Sequence, residues 1–414
     1  MLLFSKEDNY IHQKMKTKEQ IVDEILARGV IVEMLPGKDK LRQRLLSDVP
    51  MKMYIGADPT SASLHLSHAK NFMLLEEFRK LGHEVYVLFG SFTAQIGDPT
   101  DKSVARKQLT LAEVMENVKE WTKQIKPLMD FDTTENPPHI VYNHEWLSKL
   151  TMEEVISLAS NFTVQQMLER DMFEKRMLEE KPIYLHEFLY PLMQGYDSVA
   201  LNVEAELCGT DQIFNALVGR TLQSRINKKE KFVIAVNLME NPITGELMSK
   251  SNGTGIFLNF SPADMFGAIM SQPDEMIDVF FVNNTRLSLD EIEKILKNSN
   301  PRDAKIRVAF EIVSIFYGKE IAQESQEHFV KTISNKETPT EVAEFKVENN
   351  EIKLTELLVA SGNATSIGDA RRKIEQGGVS VDGEKILDPN FVVDSSFDGK
   401  VFKIGKLGWV RVKF

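Results

Sequence analysis

Three short apolar runs, MKMYIGA (51–57), EVYVLFG (84–90) and HIVYN (139–143), alternate with segments 68–81 and 110–130, whose apolar residues recur at helical spacing. Alternation of strand and helix is the signature of a parallel sheet, because parallel neighbours can only be joined by a crossover. A further run, FVIAVNL (232–238), is apolar without alternation, as a strand covered on both faces must be. The expected fold class is α/β, with a Rossmann-like, doubly wound parallel sheet that binds ligands beyond the carboxyl ends of its strands.

That sheet accounts for only part of a chain of 414 residues, a length that predicts two or three domains. After Phe260 the pattern becomes helical only, through SPADMFGAIM, LDEIEKIL and the long segment that starts at Asp303. Asn335–Glu351 is polar and poor in large apolar residues, as a linker is. The remaining residues return to two short helices and then strand-like VSVDGEKI, FVVD and GWVRVKF. The expected division is a sheet domain at 1–256, an α-helical domain at 257–335, a linker at 336–351 and a small α+β domain at 352–414.

The net charge of −11 excludes strong nonspecific attraction to nucleic acid, which basic surfaces and counterion release drive. The acidic excess lies almost wholly upstream of Lys353, so any RNA contact is expected to be local. Cys208 is the single cysteine, which excludes an intramolecular disulfide, and no Cys/His cluster has metal-ligand spacing. The start, MLLFSKEDNY, lacks the charged and apolar regions of a secretory signal, and no apolar run approaches the roughly 18–20 residues that span a bilayer. A soluble, cytoplasmic protein without a membrane partner is expected.

Two segments carry chemistry. YIGADPTSASLHLSHAKNF sets a strand before a Gly/Pro/Ser/Thr turn, and His65 and His68 follow as a helix opens. Three-residue spacing puts both imidazoles on one helical face, where backbone N–H groups favour anions such as triphosphate oxygens. Taken alone, the pair is more readily read as surface or capping histidines; a helical zinc site would need four-residue spacing and another ligand. NPITGELMSKSNGTGIFL follows the FVIAVNL strand, with Gly245, Gly253 and Gly255 around Lys250. A lysine on such a loop can close over a pyrophosphate leaving group, although a single SKS also describes an ordinary solvated lysine.

Together and in this order, HLSH and LMSKS resemble the HIGH and KMSKS signatures of class I aminoacyl-tRNA synthetases. Ser67 stands at the glycine of the first and Leu247 at the leading lysine of the second. YPLMQGYD resembles the YxxxQxxD pattern of the tyrosyl-tRNA synthetases, with Tyr190, Gln194 and Asp197 at the matching positions. The resemblance implies that Tyr54 and Asp197 hydrogen-bond the tyrosine hydroxyl, that Tyr190, Gln194 and Asp98 hold its α-ammonium, and that Gln212 lies near its carboxyl group. Phenylalanine would leave the buried pair Tyr54/Asp197 unpaired, at a cost of about 1–3 kcal/mol per group. FTAQIGDPT (with Thr93 and Asp98) and ELCGTDQ extend the match, so that Gly56, Asp58, Gly209 and Asp211 are expected at the ATP and adenylate site, with Cys208 where a family glycine is common. Thr60, His65, His68 and Lys250 are the expected catalytic set, stabilising phosphate charge with no protein nucleophile.

The C-terminal segment KLTELLVASGNATSIGDARRKIEQGGVSVDGEKI is similar to the small S-four type of RNA-binding domain. The tRNA contacts this implies are Lys353, Arg371, Arg372, Lys373 and Lys385, joined by Lys102 and Arg106 after the GDPT turn. A solvated helix face is the plainer account of the Arg371–Lys373 cluster. The implied partners are tRNA-Tyr, L-tyrosine and ATP, with Mg2+ loosely held on the nucleotide, no tightly bound cofactor, and a homodimer. Two rivals stand beside this reading: a tryptophanyl-tRNA synthetase, and a nucleic-acid-binding or regulatory protein that keeps the fold without catalysis. The pair Tyr54/Asp197 and the C-terminal domain count against the first, and intact His65, His68 and Lys250 against the second.

Overall fold

The computed structural model describes residues 16–98, 109–249, 253–331, 342–347, 350–405 and 408–414. Its chain divides into two compact units, Met1–Lys319 and Glu320–Phe414. The first is built on a six-stranded sheet of β1 (Ile31–Leu35), β2 (Lys52–Ala57), β3 (Glu84–Phe89), β4 (His139–Tyr142), β5 (Ala205–Gly209) and β6 (Phe232–Val236), in the order β1-β6-β5-β2-β3-β4. All neighbours are parallel except β1, which joins the edge antiparallel to β6.

The chain winds from β2 through β3 to β4 in one direction, and β5 and β6 extend from the other side of β2. The winding reverses between β2 and β5, which opens a crevice at their carboxyl ends. The four strands expected from sequence are present, and β1 and β5 are additions. In β5 the buried Glu206 interrupts what would otherwise be an apolar run, and β1 exposes Val32, so neither has the pattern of a covered strand.

The helix Leu111–Ile125 shows how sequence periodicity becomes site geometry. Thr110 and Glu113 cap its start reciprocally, and Val114, Val118, Trp121 and Ile125 form its buried stripe. Its inner face also clamps the turn after β2: Asn117 Nδ2 donates to Pro59 O at 2.9 Å, Trp121 Nε1 to Ser61 O at 2.7 Å, and Gln124 Nε2 to Ala62 O at 2.8 Å. Three otherwise orphaned carbonyls are satisfied this way, so the turn enters the next helix, Leu66–Lys80, in one conformation.

The helices Pro262–Met270, Met276–Asn284, Leu289–Asn298 and Pro301–Tyr317 belong to the same compact unit as the sheet. Arg28 gathers the carbonyls of Phe281, Val282, Thr285 and Leu287 at the end of the second of these, and Asn284 Nδ2 donates to Leu66 O at 2.8 Å. That last bond ties the helical segment to the first turn of Leu66–Lys80. No helix among the described residues is long and apolar enough to cross a membrane.

The second unit contains β7 (Glu344–Lys346), β8 (Glu351–Lys353), β9 (Val379–Val381), β10 (Glu384–Ile386), β11 (Val392–Asp394), β12 (Val401–Ile404) and β13 (Gly408–Lys413). Five of them form a sheet in the order β10-β9-β12-β13-β7, and β8 pairs with β11. The two expected helices are Leu354–Ala360 and Ile367–Glu375, which bury Leu354, Leu357, Leu358 and Ile374 against Val379, Phe402 and Val412. Within the stretch read as a linker, Glu344–Lys346 pairs in parallel with β13. A three-residue strand is too short to show a period in the sequence.

Candidate active site

A cavity of about 250 Å³ opens at the β2/β5 crevice, lined by Tyr54, Gly56, Asp58, Thr60, His68, Thr93, Asp98, Tyr190, Gln194, Asp197, Cys208, Gly209 and Gln212 among others. These thirteen come from four separated stretches of sequence, and they are residues that the motif matches had singled out. His65 and Asp211 flank the cavity without lining it. Lys102, Arg106 and Lys250 lie outside the described residues.

At the closed end, Tyr54 is fully buried on β2 and Asp197 is 3% exposed on the helix Leu189–Leu201. Trp146 Nε1 donates to Asp197 Oδ1 at 2.8 Å and Asn143 Nδ2 to Oδ2 at 3.3 Å. Burial pushes the Asp197 carboxyl well above the usual carboxylate range, and these two donors oppose that shift. Burial, with the charges of Glu206 and Asp197, likewise raises the Tyr54 phenol, which therefore stays protonated and able to donate. Its Oη lies 3.0 Å from Ser198 Oγ.

The middle of the cavity is a continuous polar network. Tyr190 Oη donates to Asp58 Oδ2 at 2.8 Å, and Thr93 Oγ1 donates to Asp58 Oδ1 at 2.6 Å while accepting from Asn143 Nδ2 at 3.0 Å. A methyl group on Gly90 would collide with both Asp58 and Thr93, so the strand end must be glycine for them to meet. Asp98 accepts from Arg170 Nη2 at 2.8 Å and from Gln212 Nε2 at 2.9 Å. Asn215 donates to both Gln194 and Gln212 at 2.9 Å, which fixes which face of each amide is its acceptor.

At the open end, His65 is the N-cap position of the helix Leu66–Lys80, and the two imidazole centroids are 3.9 Å apart. The backbone N–H of His65 donates to His68 Nδ1 at 3.2 Å, which leaves the His68 proton on Nε2. Burial lowers the His65 pKa to about 4 and that of His68 to about 3. Near neutrality both rings are uncharged, so they offer hydrogen bonds to an anion rather than positive charge. The segment beyond the LMSKS motif returns beside them: Leu66 N–H donates to Ile256 O and Leu258 N–H to Leu64 O.

Several residues of the site are given no role by the sequence, although Glu206 and Asn71 stand inside the motif segments. Glu206, Asn71 and Trp121 line the cavity, and Ser198, Lys231, Asn143, Trp146 and Arg170 hold residues that are given one. Lys70, 2% exposed, donates to Asn237 O at 2.6 Å and to Asn71 Oδ1 at 3.0 Å, and burial lowers its pKa to about 7. Glu206 could have been noticed as a carboxylate inside an apolar strand; the others have no local signal.

In the second unit Lys353, Arg371, Arg372 and Lys385 are exposed. Lys373 is partly buried, donating to Asn363 O at 2.8 Å and pairing with Asp369 at 3.1 Å. Lys385 lies beside Gly377, in the turn that ends the helix carrying the arginines. Four of these five cations are therefore exposed, Arg372 while paired with Asp369 at 3.6 Å, and the fifth serves the helix itself.

The fold and this cleft define a class I tRNA synthetase: residues 46–334 match the family described as tRNA synthetases class I (W and Y). Residues 335–406 match the tyrosine–tRNA ligase SYY-like C-terminal domain. A tyrosine–tRNA ligase from Carboxydothermus hydrogenoformans is 42% identical over 94% of this chain and 97% of its own, and one from Thermotoga maritima is 40% identical over 96% and 98%. The chain belongs to the tyrosine–tRNA ligase family. The same catalytic fold is found in a C-terminally truncated mitochondrial tyrosyl-tRNA synthetase from Aspergillus nidulans (TM-score 0.64, 24% identity, 74% of this chain and 92% of that one). It is also found in a tyrosyl-tRNA synthetase from Archaeoglobus fulgidus (TM-score 0.57, 19% identity, 74% and 99%).

Proposed function

We propose that this enzyme activates L-tyrosine with ATP to tyrosyl-adenylate and pyrophosphate, and then transfers tyrosine to the 3′ end of tRNA-Tyr. The observation that carries the reading is the buried pair Tyr54/Asp197 at the closed end of the cavity, a donor and an acceptor set for a single phenol. In the first step a tyrosine carboxylate oxygen attacks the α-phosphorus of ATP in line, and pyrophosphate leaves. In the second, a terminal ribose hydroxyl attacks the adenylate carbonyl and AMP leaves. Both steps depend on positioning and charge stabilisation rather than on a protein nucleophile.

In this reading Asp98, Tyr190 and Gln194 receive the α-ammonium and Gln212 the carboxyl group. Gly56, Asp58, Gly209 and Asp211 hold the nucleotide, and Thr60, His65 and His68 meet its phosphates. Lys250, assigned from the LMSKS match alone, closes over the leaving group. ATP enters as its magnesium complex. Arg371, Arg372, Lys353 and Lys385 meet tRNA, with Lys373 as their support and Lys102 and Arg106 toward the acceptor end.

The working form in this proposal is a cytoplasmic homodimer. What supports the dimer is a concentration of exposed apolar side chains, Met152, Ile156, Val164, Leu178, Tyr184 and Leu185, in one stretch of the first unit. Amino-acid-dependent ATP–pyrophosphate exchange tests the chemistry. Exchange with tyrosine is expected; exchange with tryptophan instead would overturn the substrate, and no exchange with any amino acid would leave a binding protein.

A further inference from the structure

Beneath the phenol pocket lies an ion pair that neither chemical step calls for. Lys231 and Glu206 are paired with side chains 0% and 2% exposed. Besides Glu206, the ammonium donates to Ser198 Oγ at 2.7 Å and to Ala216 O at 3.1 Å, which uses its three protons. Ser198 Oγ in turn lies 3.0 Å from Tyr54 Oη. Glu206 is the register neighbour of Tyr54 across β2 and β5, lines the cavity, and accepts from Gln194 Nε2 at 3.0 Å. One buried pair therefore supports both ends of the tyrosine site, the phenol end through Ser198 and the ammonium end through Gln194.

The surroundings are shaped for it. A methyl group on Gly219 would stand 2.5 Å from Lys231 Nζ and 2.9 Å from Ser198 Oγ, so only glycine leaves them room. An ammonium can only donate, which has a consequence for direction. Ser198 Oγ accepts from Lys231, and its own proton is then available to turn toward Tyr54 Oη. With that oxygen occupied as an acceptor, the Tyr54 proton points away from Ser198, toward the cavity side where Glu206 is its acceptor until a substrate phenol arrives.

We propose that Lys231 is a positioning residue for amino-acid selection, fixing through Ser198 the direction in which Tyr54 donates. The chain of donors runs from Lys231 to Ser198 to Tyr54 to the substrate's phenolic oxygen, and the substrate's own proton goes to Asp197. Phenylalanine supplies neither the acceptor nor the proton, so both ends of the chain are left unpaired. This inference rests on the cavity being a tyrosine site.

The test is exchange by the full-length chain with tyrosine and with phenylalanine, measured for Ser198→Ala, for Lys231→Met combined with Glu206→Gln, and for all three changes together. Ser198→Ala keeps the ion pair, so the protein folds and its thermal transition reports that. The expected result is a loss of about 10- to 100-fold in kcat/KM for tyrosine, expressed mainly in KM, with KM for ATP and kcat/KM for phenylalanine held within about twofold. The triple variant is expected to lose no more than the larger of its two parents, because all three changes cut one chain. A folded Ser198→Ala enzyme with the wild-type preference for tyrosine overturns the proposal. So does an equal loss for tyrosine and phenylalanine, which is what a role in stability alone produces. If the unaltered chain shows no tyrosine-dependent exchange, the reading of the cavity itself has failed.

Discussion

Gly219→Ala is the sharpest perturbation of the site, because the substituted atom touches no substrate and yet has nowhere to go. Its added methyl would lie 2.5 Å from Lys231 Nζ, 2.9 Å from Ser198 Oγ and 3.3 Å from Gly195 Cα, against an ordinary contact of about 3.5–4.0 Å. A flexible lysine end would swing aside, but this one is wholly buried and holds three acceptors. Either the ammonium retreats by about 1 Å and strains its bonds, or the helices Leu189–Leu201 and Ile213–Leu222 separate at Gly195. Overpacking costs about 1–3 kcal/mol and loss of a charge-assisted hydrogen bond about 1.5–3 kcal/mol, so the expected destabilisation is about 3–5 kcal/mol. In a domain of this size that lowers the melting temperature by about 5–10 °C. Denaturant unfolding of Gly219→Ala gives the magnitude. The same change in a Lys231→Met/Glu206→Gln background, where no ammonium is in the way, isolates the cause. The cost there is expected to fall to about 2 kcal/mol or less, a coupling of about 1–3 kcal/mol, the size neighbouring groups show. An equal cost in both backgrounds refutes the argument and places the strain at the helix crossing instead.

Two further outcomes follow from the buried histidines and the apolar surface. Between about pH 6.5 and 4 the unfolded chain binds protons at His65 and His68 that the folded chain refuses. Stability should therefore fall on acidification by up to about 1.4 kcal/mol per pH unit for each ring, with no contribution above pH 6.5. Urea midpoints from pH 7 to 4.5 measure this, and His68→Asn should flatten the slope; an unchanged slope contradicts the buried, neutral assignment. Leu178→Glu with Leu185→Glu places charge on side chains that are 81% and 82% exposed, and should convert a two-chain species to one chain in sedimentation without lowering stability. Unaltered sedimentation of that variant would locate any dimer contact elsewhere.

The sequence made legible what depends on local pattern. Phe232–Val236 is a covered strand because each of its five positions is apolar and buried, and Leu111–Ile125 is a helix because its buried positions recur every three to four residues. The motif spacings were equally informative about the cavity, gathering Tyr54, Asp58, His68, Asp98, Tyr190, Asp197 and Gln212 around one space. Glu206 was the local anomaly that hid a strand: a carboxylate in β5 is tolerable only because Lys231, 25 residues later, cancels its charge. No window of sequence contains both.

The same limit applies to the roles of the site residues. A motif assigns Tyr190 and Asp98 to a ligand, whereas the structure has Tyr190 bonded to Asp58, and Asp98 to Arg170 and Gln212. Groups that already satisfy one another are rigid before they meet a substrate, and rigidity is what lets a missing hydroxyl be costly: a mobile Tyr54 or Asp197 would find another partner when phenylalanine arrived. In the proposed reading, discrimination therefore belongs as much to Asn143, Trp146, Ser198 and Lys231, which hold Tyr54 and Asp197 in place, as to that pair itself.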